Sequence, residues 1–187
     1  MPLTLTSPLV STQWLQANLQ APELRILDCA MKMVPREGGG YGFTGAEPEW
    51  EQAHIPRSVF VNVAASLSDP EHCAPLMMSS ADHFKAAMLR LGVGDGTAVV
   101  LYDHGNHAWA ARVWWMLKSV GFDNAAVLDG GWRRWQEEDR PEASGPYQNL
   151  PAATFSSSPR PHLFADKARV VQALEEADTV LMHCLSS

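Results

Sequence analysis

A short polar loop holds the residues whose types and spacing are best suited to chemistry. It follows an apolar run at residues 99–102, which predicts a buried strand, and it precedes a helical pattern. The loop consists of Asp103, His104, Gly105, Asn106, His107 and Ala108. A loop between a strand and a helix amino terminus directs backbone N–H groups inward, where they bind anions. One interpretation is that the carboxylate of Asp103, the first loop residue, itself occupies the place of a bound anion.

The loop residues also allow other interpretations. Asp103 can end the strand and cap the following helix, a structural role that is compatible with filling an anion site. His104 and His107 lie near an Asp, as in some metal sites, but the loop offers no third ligand of known placement. We therefore predict no metal and two histidines that face solvent. Arg112, one turn into the helix, either faces the loop as an anion-binding guanidinium or pairs with a neighbouring carboxylate.

The elements around the loop predict its position in the fold. The helix that starts near residue 108 ends at Gly121, and Val127 and Leu128 form a second strand before a turn at residues 129–131. A strand, a crossover helix and a second strand make a βαβ unit. We therefore expect an α/β fold with a central parallel sheet flanked by helices, and a ligand site at the carboxyl ends of the strands.

The other elements of this first part follow from similar patterns. We expect a helix capped by Ser11 and a strand at residues 23–28. Residues 32–48 contain several glycines, which predict a long loop without regular structure. A further strand is expected at residues 58–63, and Ser79 is predicted to cap the next helix.

Five short motifs occur in a defined order over more than a hundred residues. They are Ile26-Leu27-Asp28, His54-Ile55-Pro56, Val100-Leu101-Tyr102-Asp103, Trp114-Trp115 and Leu128-Asp129-Gly130-Gly131-Trp132. In this order they resemble the rhodanese superfamily, and more narrowly the first half of a two-domain sulfurtransferase that acts on thiosulfate or 3-mercaptopyruvate. The resemblance implies a rhodanese-like domain over residues 1–138, a small anionic sulfur donor as substrate, and no cofactor.

The resemblance also implies where sulfur transfer takes place. In two-domain relatives a cysteine in the second domain accepts the sulfur as a thiolate, and we expect the matching loop to lie beyond Ser187. A carboxylate cannot accept sulfur in this way, so the loop that starts at Asp103 is predicted to be the non-cysteine equivalent of the active loop. We therefore expect this chain to be inactive or weakly active alone, or to serve as a regulatory or binding module.

Two positions differ from the pattern that the resemblance implies. Mercaptopyruvate enzymes of this family contribute an Asp and a His from the first domain to the active site between the domains. The matching positions here hold Asn62 and, approximately, Leu76. The identity of the sulfur donor therefore stays open.

The last part of the chain differs in composition. Five prolines are spread over a polar stretch, which predicts an extended linker at residues 139–162 that lies on the first domain. Residues 162–187 then repeat the pattern of residues 8–31, with an apolar pair, a capped helix, an acidic break and a short strand followed by a cysteine. We interpret residues 163–187 as the incomplete start of a second rhodanese-like domain. A helix and one strand cannot bury their own apolar faces, so a second rhodanese domain or another protein is the expected partner.

Composition and charge limit the remaining possibilities. The net charge of −7 argues against nucleic acid or an anionic membrane surface as the main partner. No apolar run approaches membrane-spanning length, and the amino terminus lacks the features of a signal peptide. Cys29, Cys73 and Cys184 have neither metal-type nor disulfide-type spacing, which favours a cytoplasmic location. A hydrolase or phosphatase that uses Cys29 or Cys73 is the least favoured function, because neither lies on the anion-binding loop.

Overall fold

The computed structural model describes residues 3–72, 74, 76–147 and 154–182 of the chain. The strands are β1 (Leu9–Val10), β2 (Leu24–Asp28), β3 (Met31–Pro35), β4 (Tyr41–Gly45), β5 (Ser58–Phe60), β6 (Ala98–Tyr102) and β7 (Ala125–Leu128). The helices are α1 (Thr12–Asn18), α2 (Glu47–Gln52), α3 (Val63–Ser66), α4 (Ala81–Arg90), α5 (Ala108–Ser119), α6 (Gly131–Glu137) and α7 (Lys167–Ala173), with a 3₁₀ turn at Pro161–Leu163. Five strands form one parallel sheet in the order β1-β7-β6-β2-β5, and β3 pairs with β4 in a separate antiparallel ribbon.

Successive side chains of the central strands face two separate apolar layers. In β2, Ile26 belongs to the same buried cluster as Leu15 of α1 and Trp135 of α6. The next residue, Leu27, belongs to the cluster on the other side of the sheet, together with Phe84 of α4. This alternation is expected of a strand whose sheet is covered on both faces. The predicted fold, a central parallel sheet flanked by helices, is confirmed.

Side-chain caps set where α1 and α4 begin. Ser11 accepts a hydrogen bond from the Trp14 backbone N–H at 3.1 Å and caps α1, as predicted. The predicted cap of α4 is wrong by one residue. Ser80 caps the helix, because the buried Ser79 hydroxyl donates instead to the Leu67 carbonyl at 3.0 Å.

Among the described residues, no helix has the length and apolar character needed to cross a membrane.

A β-hairpin occupies the segment for which the sequence predicts a long loop. β3 and β4 pair in antiparallel register along their whole length. Gly38, Gly39 and Gly40 all have positive φ values, so these glycines form the reversal between the strands instead of preventing regular structure. The prediction for residues 32–48 is therefore wrong, because the glycines are confined to the turn.

The strand predicted at residues 58–63 is shorter in the structure. β5 ends at Phe60, and α3 starts at Val63. The Asn62 side chain accepts a hydrogen bond from the Ala65 N–H at 3.0 Å and caps this short helix. The cap ends the extended backbone three residues earlier than predicted.

An extended segment at residues 154–160, here termed the strap, lies along the first domain. The Ser158 N–H donates to the Val120 carbonyl at 2.9 Å. The Phe155 ring is buried against Phe122, with a distance of 5.6 Å between ring centroids. The strap thus contributes to the apolar layer that contains α4 and α5.

An ion pair also attaches the strap to the domain. The Asp123 carboxylate, just after α5, accepts hydrogen bonds from two nitrogens of Arg160 at 2.8 and 2.7 Å. The boundaries of the linker at residues 139–162 stay a prediction, and residues 148–153 lie outside the described part of the chain.

The tail that follows the strap contains α7 and, among its described residues, no strand. Asp166 caps α7 by accepting a hydrogen bond from the Arg169 N–H at 2.7 Å. The sequence pattern predicts a strand after this helix, but the described residues 179–182 are not assigned to one. The interpretation of the tail as the start of a second domain stays a prediction, and Cys184 lies outside the described residues.

Candidate functional site

The Asp103 carboxylate is held in a ring of four backbone N–H groups. Oδ1 accepts hydrogen bonds from Gly105 at 3.0 Å and from His107 at 3.1 Å. Oδ2 accepts from Trp109 at 3.0 Å and from Ala110 at 3.1 Å. Only 1% of Asp103 is exposed. These contacts fit both interpretations of Asp103. The carboxylate lies where inward N–H groups would bind an anion, and it also caps α5, because two of the four donors belong to the first turn of that helix.

The backbone of the loop explains how the ring closes. His107 has a φ of 66°, in the left-handed region, immediately before α5. Gly131, in the turn after β7, packs against the loop so closely that a Cβ there would lie 2.6 Å from the Asp103 carbonyl oxygen. The Trp132 N–H donates to the same oxygen at 3.1 Å. Glycine is therefore required at residue 131 for this turn to support the loop.

A histidine–aspartate pair, in which the aspartate is buried and the histidine partly exposed, joins the loop to the neighbouring strand. His104 Nε2 lies 2.8 Å from Oδ2 of Asp28, a residue with no exposed surface. The other Asp28 oxygen accepts from the Ala30 N–H at 2.8 Å. The prediction that His104 faces solvent is wrong, because β2 and β6 lie side by side and their carboxyl ends bring the two residues together. His107 is only partly exposed, and its Nδ1 is shielded from solvent.

The two loop histidines make separate contacts. His104 is bonded to Asp28, whereas the His107 ring lies beside Gly131. Within the residues that the structure describes, no group of three or more His, Cys, Asp or Glu side chains is arranged to hold a metal ion.

The sequence profile of the rhodanese-like domain matches residues 11–138, which include the parallel sheet from α1 onward and the whole Asp103 loop. The chain belongs to the rhodanese family.

Its relatives are sulfurtransferases. The 3-mercaptopyruvate sulfurtransferase of Escherichia coli K12 is 31% identical over 171 residues, which cover 91% of this chain and 58% of the relative. The human 3-mercaptopyruvate sulfurtransferase is 37% identical over 150 residues, which cover 77% of this chain and 48% of the relative. The crystal structure of SseA from Escherichia coli is similar at a TM-score of 0.78 and 30% identity, covering 91% of this chain and 63% of that one. This rhodanese chain thus spans about half the length of the curated relatives it matches.

The described cysteine of this rhodanese domain is closed off from solvent. Cys29 follows β2 and has no exposed surface. Burial, together with the nearby carboxylates of Asp28 and Asp103, raises the pKa of its thiol well above the ordinary value. Because the thiolate is the nucleophilic form, Cys29 is not a reactive group. Cys73 and Cys184 lie outside the described residues.

Arg112 donates a hydrogen bond to a backbone carbonyl, and among the described residues it has no hydrogen bond to a carboxylate. Its Nη2 donates to the carbonyl of Leu76, while its Nε is shielded and has no partner there. Burial lowers the pKa of the guanidinium. Neither role predicted for Arg112 is seen, because the turn at Leu76, with a φ of 63°, places its carbonyl over α5.

A chain of buried hydrogen bonds links α2 and the start of β5 to the end of β6. The sequence analysis does not find it. The Tyr102 hydroxyl lies 2.9 Å from Oγ of Ser58, which accepts from the Trp50 indole N–H at 3.0 Å. His54 Nδ1 in turn lies 2.7 Å from the Trp50 carbonyl. Burial raises the pKa of Tyr102 well above its ordinary value, so the hydroxyl stays neutral. Polar residues within otherwise apolar strands are the signal that points to such a chain.

Proposed function

We propose that this chain is the non-catalytic rhodanese domain of a thiosulfate or 3-mercaptopyruvate sulfurtransferase. The observation that carries the proposal is the Asp103 carboxylate, which fills the ring of four N–H groups at the start of α5. Sulfur transfer requires a thiolate that attacks the sulfane sulfur and becomes a persulfide. A carboxylate cannot form that bond, so the proposal places the catalytic cysteine on a loop outside this chain.

The same ring supports the proposed equivalence of residues 103–108 to an active loop. Inward N–H groups at a helix amino terminus stabilise a thiolate and the negative charge of a persulfide. Here the Asp103 carboxylate occupies that place and accepts the four hydrogen bonds. The loop therefore keeps an architecture suited to an anion while it lacks the reactive sulfur.

Turnover assays on the purified chain test the proposal directly. The chain is given thiosulfate with cyanide, and separately 3-mercaptopyruvate with a thiol, and mass spectrometry follows persulfide formation on each cysteine. We expect no turnover and no adduct on Cys29. Sustained turnover that is lost in Cys73→Ser would show that the chain carries its own catalytic cysteine and would overturn the proposal.

A gain-of-function variant tests the equivalence of the loop. In Asp103→Cys, the new thiolate is expected to attack the sulfane sulfur of thiosulfate, forming a cysteine persulfide and releasing sulfite. Mass spectrometry should show the addition of one sulfur atom, and Asp103→Ser, the matched control, should show none. If Asp103→Cys folds with a native circular-dichroism spectrum and gains no sulfur, the loop is not equivalent to an active loop.

A second candidate function, a binding module, is favoured by the exposed tail. Leu174, Val180 and Met182 are large apolar residues that lie mostly in solvent. The partner proposed for this surface is a second rhodanese domain or another protein. The test is to mix the chain with the second half of the Escherichia coli relative and measure complex formation by gel filtration. A complex weakened by Val180→Asp would support this function, whereas no association would contradict it.

A cytoplasmic location is also part of the proposal. It rests on a reduced cysteine, Cys29, which is free in the described structure. Fractionation of the source cells tests it, and recovery of the protein in an exported fraction would contradict it.

A further inference from the structure

Helix α7 lies against the rest of the molecule along one side. Ala173 is buried, and Asp166 and Arg169 line a cleft between the tail and the first domain. Met78 of the domain and Pro159 of the strap line the same cleft. Because an α-helix has 3.6 residues per turn, positions 166, 169 and 173 share one side of α7, and the opposite side faces away from the molecule.

The side that faces away carries an apolar stripe with a charge at each end. The stripe, here termed the α7 stripe, consists of Val170, Val171 and Leu174, which are 40%, 56% and 71% exposed. Lys167 is the first residue of the helix, and Glu175 follows the C-cap and donates its N–H to a carbonyl of the last turn. Both charged residues are exposed.

The charges of α7 run against the preference of an isolated helix. The helix dipole favours acidic residues at the start and basic residues at the end. Apart from the capping Asp166, the first turn of α7 holds no acidic residue, and its last turn holds no basic one. Arg169 is paired with Glu176 at 2.9 Å. Neither Lys167 nor Glu175 has an ion-pair partner among the described residues, so both charges are available to another molecule.

A second copy of α7 in antiparallel orientation matches this arrangement. Lys167 and Glu175 are each four residues from Val171, which is about 6 Å along the helix axis. A two-fold axis at Val171 therefore places Lys167 of each copy level with Glu175 of the other, and it brings the two apolar stripes together. A parallel arrangement would place like charges side by side. The α7 stripe is thus complementary to itself in one orientation, as a symmetric dimer requires.

We propose that this chain forms a homodimer through antiparallel pairing of α7. Val171 and Leu174 become covered, and two Lys167–Glu175 ion pairs form at the edges of the contact. Because the contact is small, the dimer is expected to be weak, with a dissociation constant between about 10 µM and about 1 mM. The proposal goes beyond the proposed function and does not depend on it, since a chain that transferred sulfur could form the same dimer.

Sedimentation equilibrium of the purified full chain tests the pairing. A reducing buffer prevents disulfides, and about 0.15 M salt screens the net charge of −7 beyond about 8 Å. Over the expected concentration range the mass should rise from that of one chain toward that of two. Val171→Asp places a charge at the two-fold axis and should keep the chain monomeric. An unchanged chain that stays monomeric throughout overturns the proposal.

Two charge-reversed variants test the orientation. Lys167→Glu and Glu175→Lys each place like charges opposite each other, and each should weaken the dimer by about tenfold or more. Both changes agree with the helix dipole, so a lost dimer would not reflect a lost helix. An equimolar mixture of the two variants restores opposite charges at both ends and should dimerise about as tightly as the unchanged chain. Arg133→Glu, the matched control on the exposed surface of α6, should change the dissociation constant by less than about twofold.

Two further results would contradict the pairing. One is a mixture of the charge-reversed variants that dimerises no better than either variant alone. The other is a monomeric chain that binds the second half of the Escherichia coli relative in a complex weakened by Leu174→Asp, which would assign the α7 stripe to a second rhodanese domain. Neither result affects the sulfur-transfer assays, so the proposed function stands or falls separately.

Discussion

Residues 9–28 and 163–182 share a sequence pattern but have opposite surroundings. Each contains a seven-residue helix capped by a side chain, Ser11 in one and Asp166 in the other, and each continues into an apolar stretch. In the first, every residue of β2 is buried, and the strand pairs with β5 and β6. In the second, Val180 and Met182 are each 83% exposed, and residues 179–182 are not assigned to a strand.

The difference shows which features are local. A helix with a side-chain cap needs only its own residues to begin, so it forms in both regions. A strand needs neighbours that accept and donate its backbone hydrogen bonds, and in the described part of the chain β2 has such neighbours in β5 and β6. The same kind of segment is therefore a central strand in one place and an exposed apolar segment in the other.

The largest expected difference between the two regions concerns the apolar stretches. Leu27→Ala removes a side chain with no exposed surface and should lower the free energy of unfolding by about 2 to 5 kcal/mol. Leu181→Ala, the matched change in the tail, where 45% of the residue is exposed, should change it by less than about 0.5 kcal/mol. Urea denaturation measures both. Equal losses for the two variants would mean that the tail is packed as firmly as the first region.

A smaller difference is expected for the helix caps. Ser11→Ala should lower the free energy of unfolding by about 1 kcal/mol. The reason is that α1 packs against the sheet, so its first turn unfolds together with the domain. Asp166→Ala should leave global unfolding unchanged and instead speed hydrogen exchange within α7. A shift of the urea midpoint for Asp166→Ala would show that α7 unfolds together with the domain.

The sequence predicted the sheet better than the contacts across it. The apolar runs of β2, β6 and β7 are local signals, and the helix that connects β6 to β7 follows from its own pattern. The hairpin escaped prediction because glycines favour turns and irregular loops alike. The Asp28–His104 pair escaped it because the residues are 76 positions apart and meet only once two parallel strands are aligned.

The Asp103 loop is the opposite case, a site whose residues are close together in the sequence. Its residues are contiguous, so the idea that Asp103 meets inward N–H groups was available from the order of strand, loop and helix. The four donors became identifiable only from the backbone, because the left-handed conformation of His107 decides which N–H groups converge. Sequence reasoning therefore finds a site built within one loop and misses one built between strands.

The smallest expected effect concerns the strap, which precedes the tail and packs against the first domain. Hydrogen bonds from Arg160 hold the pKa of Asp123 at about 2, below its ordinary value of 3.8. A carboxylate whose pKa is lower in the folded state stabilises the fold above the ordinary pKa, and this contribution is lost as the pH falls through about 2. Since 54% of the Asp123 side chain is exposed, solvent screening keeps the contribution small.

The comparison of the chain with Arg160→Ala across acidic pH measures this contribution. At pH values above the ordinary pKa, the variant should unfold at slightly lower urea concentration, and the difference should shrink toward zero as Asp123 becomes protonated. Lys118→Ala is a useful control, because Lys118 contacts the same carboxylate from α5 and not from the strap. If only Arg160→Ala also speeds hydrogen exchange at residues 154–160, the ion pair holds the strap to the domain. Equal exchange in both variants would mean that the burial of Phe155 alone keeps the strap in place.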